Sequence, residues 1–299
     1  MVRRGNSRQR NDYITKMKVG LALGGGGVRG LAHVLALEVL DDCGVKPDVI
    51  AGTSMGAIVG AMYASGYSGK EIREGLRGHV IFKEDKPKDV WKKKRNLSRW
   101  LRFFRITKGK QGMFSADGFL SYLVESLGVE TFEQLKIPFR AVATDFYRKE
   151  VVILKSGDLL PAIKASMAIP GVFEPVVHEG RVLVDGGLAD NLPYGTLMDE
   201  CDVVIAIDVV PTVAEDQTDP PSMMNAVLGM FDSLIEEATR VRLEEQPPTL
   251  YVRVESTGVR MLDFDEIEEV YAQAEPAIEK FKEDLKRLLE SESKRPPVD

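Results

Sequence analysis

Between Met17 and Tyr63 the chain runs through two successive strand–glycine–helix units, and few folds accommodate that order. Met17–Leu23 (MKVGLAL) is a buried-strand pattern that enters four glycines, Gly24–Gly27. Val28–Cys43 then carries Leu31, Val34, Leu35, Val39 and Leu40 at helical spacing, and Gly44 is placed to stop that helix. Asp48–Ala51 predicts a second short strand, Gly52-Thr53-Ser54-Met55-Gly56 follows it, and Ala57–Tyr63 opens a second helix. Helices that alternate with short apolar strands pack on both faces of a parallel sheet. The expected fold is therefore three-layer α/β/α with a mostly parallel central sheet.

Further along, Gly69–Arg77 reads as a helix, and Ile137–Thr144, Val151–Leu154 and Arg181–Asp185 as strands. Val203–Val210 (VVIAIDVV) is the uninterrupted apolar run of a strand buried on both faces. Met223–Arg242 predicts a helix, Leu250–Val254 a strand, and Phe264–Leu289 a long amphipathic helix interrupted near Pro276. The expected organisation is a basic tail at 1–16, a catalytic domain at 17–211 with a lid-like insertion at 79–113, a helical extension at 212–290 packed on it, and a second tail at 291–299.

Charge is unevenly spread: residues 1–113 carry +13, the remainder −19. Residues 92–110 hold nine basic and no acidic side chains. Within them Leu97, Trp100, Leu101 and Phe104 form an apolar helical stripe, which suits either a packed lid or peripheral contact with an anionic membrane. No nucleic-acid motif accompanies the patch, so nucleic acid is not an expected partner. No apolar run reaches the roughly 18 residues of a membrane span, and the N-terminus lacks a signal-peptide core. Cys43 and Cys201 have neither metal-ligand spacing nor a disulfide framework. A cytoplasmic, peripherally membrane-associated protein is expected.

The chemistry concentrates in the glycines. Gly52–Gly56 is a G-x-S-x-G between strand and helix, where a sharp turn exposes the hydroxyl of Ser54 and the glycines let strand and helix approach. An ordinary glycine-rich β–α turn is the alternative. A serine nucleophile needs donors for the oxyanion it creates, and Gly25-Gly26-Gly27-Val28-Arg29-Gly30 offers backbone amides at a helix start. The same letters fit a dinucleotide loop, but no acidic residue ends the next strand where a ribose contact requires one. Arg29 is unfavourable in a first helical turn unless it bonds the glycine loop or an anionic substrate group, or simply faces solvent.

The base is the next question. The chain has His33, His79 and His178 alone, so a triad would need an acid such as Asp145 before His178. Asp185-Gly186-Gly187 offers a second solution, because two glycines after a strand let the aspartate aim into a cleft. A plain turn aspartate is the competing account.

Taken together, Gly25–Gly30, Gly52–Gly56 and Asp185–Gly187 resemble the patatin-like phospholipases in type and order, as do Ala165–Pro175 and Asp190–Pro193. The resemblance implies a Ser54–Asp185 dyad without histidine, metal or cofactor. It implies an oxyanion hole at Gly25, Gly26 and Gly27, supported by Arg29, Gly30, Gly52, Gly56, Gly186 and Gly187. The implied activity is lipid or small-ester hydrolysis through an acyl-enzyme. An acyltransferase or thioesterase on the same serine, or a non-enzymatic membrane regulator, are the rival readings.

Overall fold

The computed structural model describes residues 17–77, 127–212 and 220–292. The tail at 1–16, the whole insertion at 79–113 with its basic stretch 92–110, and the last seven residues lie outside them.

Among the described residues eight strands form one sheet in the order β5–β6–β3–β2–β1–β7–β8, with β4 paired to β3. The strands are β1 (Val19–Leu23), β2 (Val49–Thr53), β3 (Phe139–Asp145), β4 (Glu150–Leu154), β5 (Val176–His178), β6 (Arg181–Asp185), β7 (Val203–Thr212) and β8 (Leu250–Thr257). Pairings β1–β2, β1–β7, β2–β3 and β7–β8 are parallel, while β4 and β6 run antiparallel to β3. The centre of the sheet is therefore parallel, and the antiparallel strands gather at one side.

Alternation along the central strands separates two apolar layers. Leu21, Leu23, Ile50, Ile205 and Ile207 enter the larger core. Ala22, Ala51, Val204 and Ala206 face the other way, onto Leu192, Tyr194 and Leu197. Strands covered on both faces need no polar alternation, which is why β1, and β7 apart from Asp208, read as continuous apolar runs. β8 contrasts with them: Val252, Val254 and Ser256 are buried while Arg253, Glu255 and Thr257 are exposed, the period of two of a strand with one wet face.

The helices are α1 (His33–Cys43), α2 (Met55–Ala64), α3 (Gly69–Arg77), α4 (Leu159–Ser166), α5 (Gly187–Asp190), α6 (Met223–Glu245) and α7 (Ile267–Glu292). Two differ from the sequence reading. The first four-glycine helix begins as a 3-10 helix, Gly27–Ala32, and becomes α-helical only at His33. α7 is not interrupted at Pro276. The ring removes one backbone donor, but Pro276 and Ala272, whose carbonyl loses its partner, both lie on the exposed side, and Val270, Ala274, Ile278 and Phe281 hold the other side in the core. Among the described residues no helix is long and apolar enough to cross a membrane.

Candidate active site

Strand register brings the singled-out residues together. Thr53 at the end of β2 pairs with Val142 of β3, and Asp185 at the end of β6 pairs with Ala143, the next residue of the same strand. Ser54 and Asp185 thus leave the sheet at one level, on either side of β3. On the other side of β2, Leu23 pairs with Gly52, which brings the Gly24–Gly27 loop to the same edge.

Ser54 occupies φ 54°, ψ −121°, a strained conformation for a residue with a side chain, and caps α2. Two contacts hold it there. Its amide donates to Ser166 Oγ at 3.0 Å, and that hydroxyl donates to the Val142 carbonyl at 2.6 Å. Gly56 makes the turn possible, because a Cβ there would stand 2.2 Å from the Leu23 carbonyl oxygen. Ser166 lies in the Ala165–Pro175 segment that resembles the family, yet nothing in the sequence assigns it a role.

Asp185 is 2% exposed. Its Oδ1 accepts from the Gly187 amide at 2.8 Å, and its Oδ2 has no hydrogen-bond partner among the described residues. Burial pushes its carboxyl up to about 6, with the Gly187 amide and the neighbouring Ser54 hydroxyl opposing that shift. Gly186 and Gly187 do more than turn the chain: α5 starts at Gly187, so the carboxylate sits against the start of a helical turn.

The glycine loop is clasped on several sides. Gly25 donates its amide to the Asn191 carbonyl at 3.1 Å, and Asn191 Nδ2 donates to the Gly25 carbonyl at 3.2 Å. The expected oxyanion donor Gly25 therefore has its N–H already committed within the fold. Gly24 and Val28 likewise donate, to Ile207 and Met261. Among the described residues the Gly26 and Gly27 amides between them make no such bond.

Arg29 does bond the loop. Its side chain is 2% exposed, Nε donates to the Gly26 carbonyl at 3.1 Å, and Nη2 meets Asp232 at 2.7 Å. Gly30 allows close packing on α2, since a Cβ there would touch Met55 at 2.7 Å.

No histidine among the described residues lines the cleft. His33 Nε2 hydrogen-bonds to the Gly24 carbonyl at 2.7 Å, and burial lowers its pKa to about 4, so it braces the loop as a neutral ring. His178 pairs with Arg181 in the β5–β6 hairpin, and His79 lies outside the described residues. Asp145, the acid of a possible triad, accepts the amides of Tyr147 and Arg148 in its own turn.

The cleft, about 450 Å³ including solvent at its mouth, is lined by Gly25, Gly26, Gly27, Ser54 and Asp185 together with Asp208 and residues of α6. Asp208 is buried, its carboxyl is raised to about 6 by burial, and Tyr251 donates to it at 3.0 Å. Residues 21–198 match the family described as Patatin-like phospholipase. The chain belongs to the patatin-like phospholipase family.

Among its patatin-like relatives, an uncharacterized NTE family protein of Mycobacterium tuberculosis is 36% identical over 193 residues, 64% of this chain and 49% of the relative. Patatin-like phospholipase domain-containing protein 7 of Rattus norvegicus is 32% identical over 73% of this chain and 15% of its own length. Neuropathy target esterase sws of Drosophila melanogaster is 30% identical over 69% of this chain and 14% of its own. The chain thus spans about half the length of the mycobacterial relatives and far less of the animal ones. Among solved structures, human GIVD cytosolic phospholipase A2 is 13% identical at a TM-score of 0.47, covering 96% of this chain and 63% of that one. VipD from Legionella pneumophila gives 13% and 0.45, covering 88% and 67%. The patatin-like match ends at Met198, so α6, which roofs the cleft, lies beyond it.

Proposed function

We propose that this protein hydrolyses acyl esters of lipids or small molecules, with Ser54 as nucleophile and Asp185 as its base. One observation carries the reading: a strained serine and a buried carboxylate line the same cleft as the Gly26 and Gly27 amides, and among the described residues neither those amides nor one carboxylate oxygen has a hydrogen-bond partner. Family membership, and relatives whose names specify phospholipase and esterase, support a lipid or ester substrate.

In this mechanism Ser54 Oγ attacks the ester carbonyl carbon as its proton passes to Asp185. The carbonyl oxygen becomes the oxyanion, held by the Gly26 and Gly27 amides. Collapse of the tetrahedral intermediate breaks the ester C–O bond, and protonated Asp185 gives its proton to the departing alcohol. Water then attacks the acyl-enzyme, again deprotonated by Asp185, and releases the carboxylic acid. An ordinary aspartate is too weak a base for this. Burial that raises Asp185 to about 6 brings it closer to the proton it must take, while leaving it ionised at neutral pH.

The test is release of free fatty acid from a panel of phospholipids, lysophospholipids and p-nitrophenyl esters by wild type, Ser54→Ala and Asp185→Asn. Hydrolysis by wild type and its loss in both variants is the expected result. Full activity in either variant excludes the dyad, and acyl transfer to added alcohols or thiols in preference to water would assign an acyltransferase instead.

A further inference from the structure

The Gly26–Gly27 peptide is the least constrained part of the site by sequence. Glycine on both sides leaves such a peptide free to rotate its plane. Its carbonyl and its N–H belong to one rigid plane and point in opposite directions, so whatever holds the Gly26 oxygen also sets where the Gly27 N–H points. Arg29 Nε holds that oxygen at 3.1 Å. A guanidinium is planar, with its donors in fixed directions, so the orientation of Arg29 is transmitted to the peptide.

Arg29 in turn is held by Asp232. The guanidinium is 2% exposed, and its ion pair with Asp232 spans 203 positions of sequence at 2.7 Å. A charge buried to that degree depends on its counter-ion, and removing one partner leaves the other uncompensated. Asp232 sits on α6, whose Phe231, Ile235, Glu236 and Thr239 also line the cleft. It therefore belongs to the site although it lies beyond residues 21–198 that match the family.

We infer that Asp232 is a positioning residue for this site: through Arg29 it fixes the Gly26–Gly27 peptide with its N–H toward the cleft. The chain Asp232–Arg29–Gly26 thus completes the oxyanion donors from a helix outside the matched region. The inference rests on the hydrolase reading above for its catalytic consequence, though not for its structural one.

Asp232→Asn keeps the shape and removes the charge. Three readouts apply: the rate at which a fluorophosphonate labels Ser54, kcat and KM on p-nitrophenyl butyrate, and amide hydrogen exchange over residues 24–30. Asp232→Asn is expected to lower kcat and the labelling rate about ten-fold or more, because oxyanion donors act in the transition state. KM should stay within about two-fold for the same reason, and exchange should accelerate at the flanking Gly25 and Val28 amides, which donate to Asn191 and Met261. Asp232→Glu, which restores the charge, should recover most of the rate. In an Arg29→Met background Asp232→Asn should add nothing further, which also covers the case in which the single variant does not fold. Unchanged labelling and exchange in Asp232→Asn overturn the inference, as does a raised KM with kcat intact. Wild type that resists the probe defeats the hydrolase reading instead. The exchange measurement then still decides the structural claim, with faster exchange at Gly25 and Val28 supporting it and unchanged exchange refuting it.

Discussion

The floor of the cleft stands at the ends of β1, β2 and β6, where Leu23, Thr53 and Asp185 are each no more than 2% exposed, whereas its roof, α6, leaves Met230 and Leu234 60% and 62% exposed. The floor is fixed by strand ladders and by close backbone approaches around Gly56. The roof is tied down by side-chain ion pairs, Arg29–Asp232, Arg242–Asp190 and Arg253–Glu236. The groups assigned to bond-making sit where the backbone sets position, while the helix above them is held by charges whose strength varies with exposure.

That contrast is sharpened by changing each side in turn. The largest effect belongs to the reacting atom of the floor: Ser54→Ala should reduce ester hydrolysis by at least about 10³-fold with the melting temperature unchanged. Assays on a soluble ester beside a thermal melt check both halves. Next comes Gly56→Ala, whose Cβ would stand 2.2 Å from the Leu23 carbonyl oxygen. Overpacking of this kind costs about 3 kcal/mol, which should lower the melting temperature by roughly 6 °C or more. A variant as stable as wild type would show the floor to be softer than its geometry implies.

The Asp185 carboxyl gives a pH test of similar size. Its folded pKa, about 6, lies above the ordinary 3.8, so between those values the folded state keeps a proton that the unfolded state has released. Stability therefore falls as pH rises through that window, by on the order of 3 kcal/mol from this group, and is fully reduced above it. Hydrolysis runs the other way, rising with pH through about 6 as the base ionises. Asp185→Asn should remove the activity while stabilising the fold at pH 7, as chemical denaturation would read. The smallest effect is expected at the roof. Glu236→Gln breaks its pair with Arg253, whose partners are 41% and 37% exposed, and should cost no more than about 1 kcal/mol. A larger loss would mean that α6 is held as firmly as the floor.

The same contrast explains what was legible in the sequence. Ser54, Asp185 and the glycine loop stand at strand ends, where a strand, its turn residues and the following helix leave a local signature. The structure brought these residues to one cleft, and the family match covers them. The commitment of the Gly25 amide to Asn191 could not be read, because it is a contact across 166 positions. Ser166 and Asp232 were hidden for the same reason: each makes its contacts across long stretches of sequence, and neither lies in a pattern of its own. β5 escaped because three residues after Pro175 are too few to show a period. Pro276 misled because the sequence names a helix breaker without saying that its freed carbonyl would lie on the wet side.

The account stands on Ser54 being activated by Asp185, and one measurement tests that directly: mapping the fluorophosphonate adduct by mass spectrometry while following its rate against pH in wild type and Asp185→Asn. A single adduct on Ser54, forming faster as pH rises through about 6 and nearly abolished in Asp185→Asn, is the predicted result. An adduct on another residue, or labelling of Asp185→Asn at the wild-type rate with the same pH profile, would contradict it.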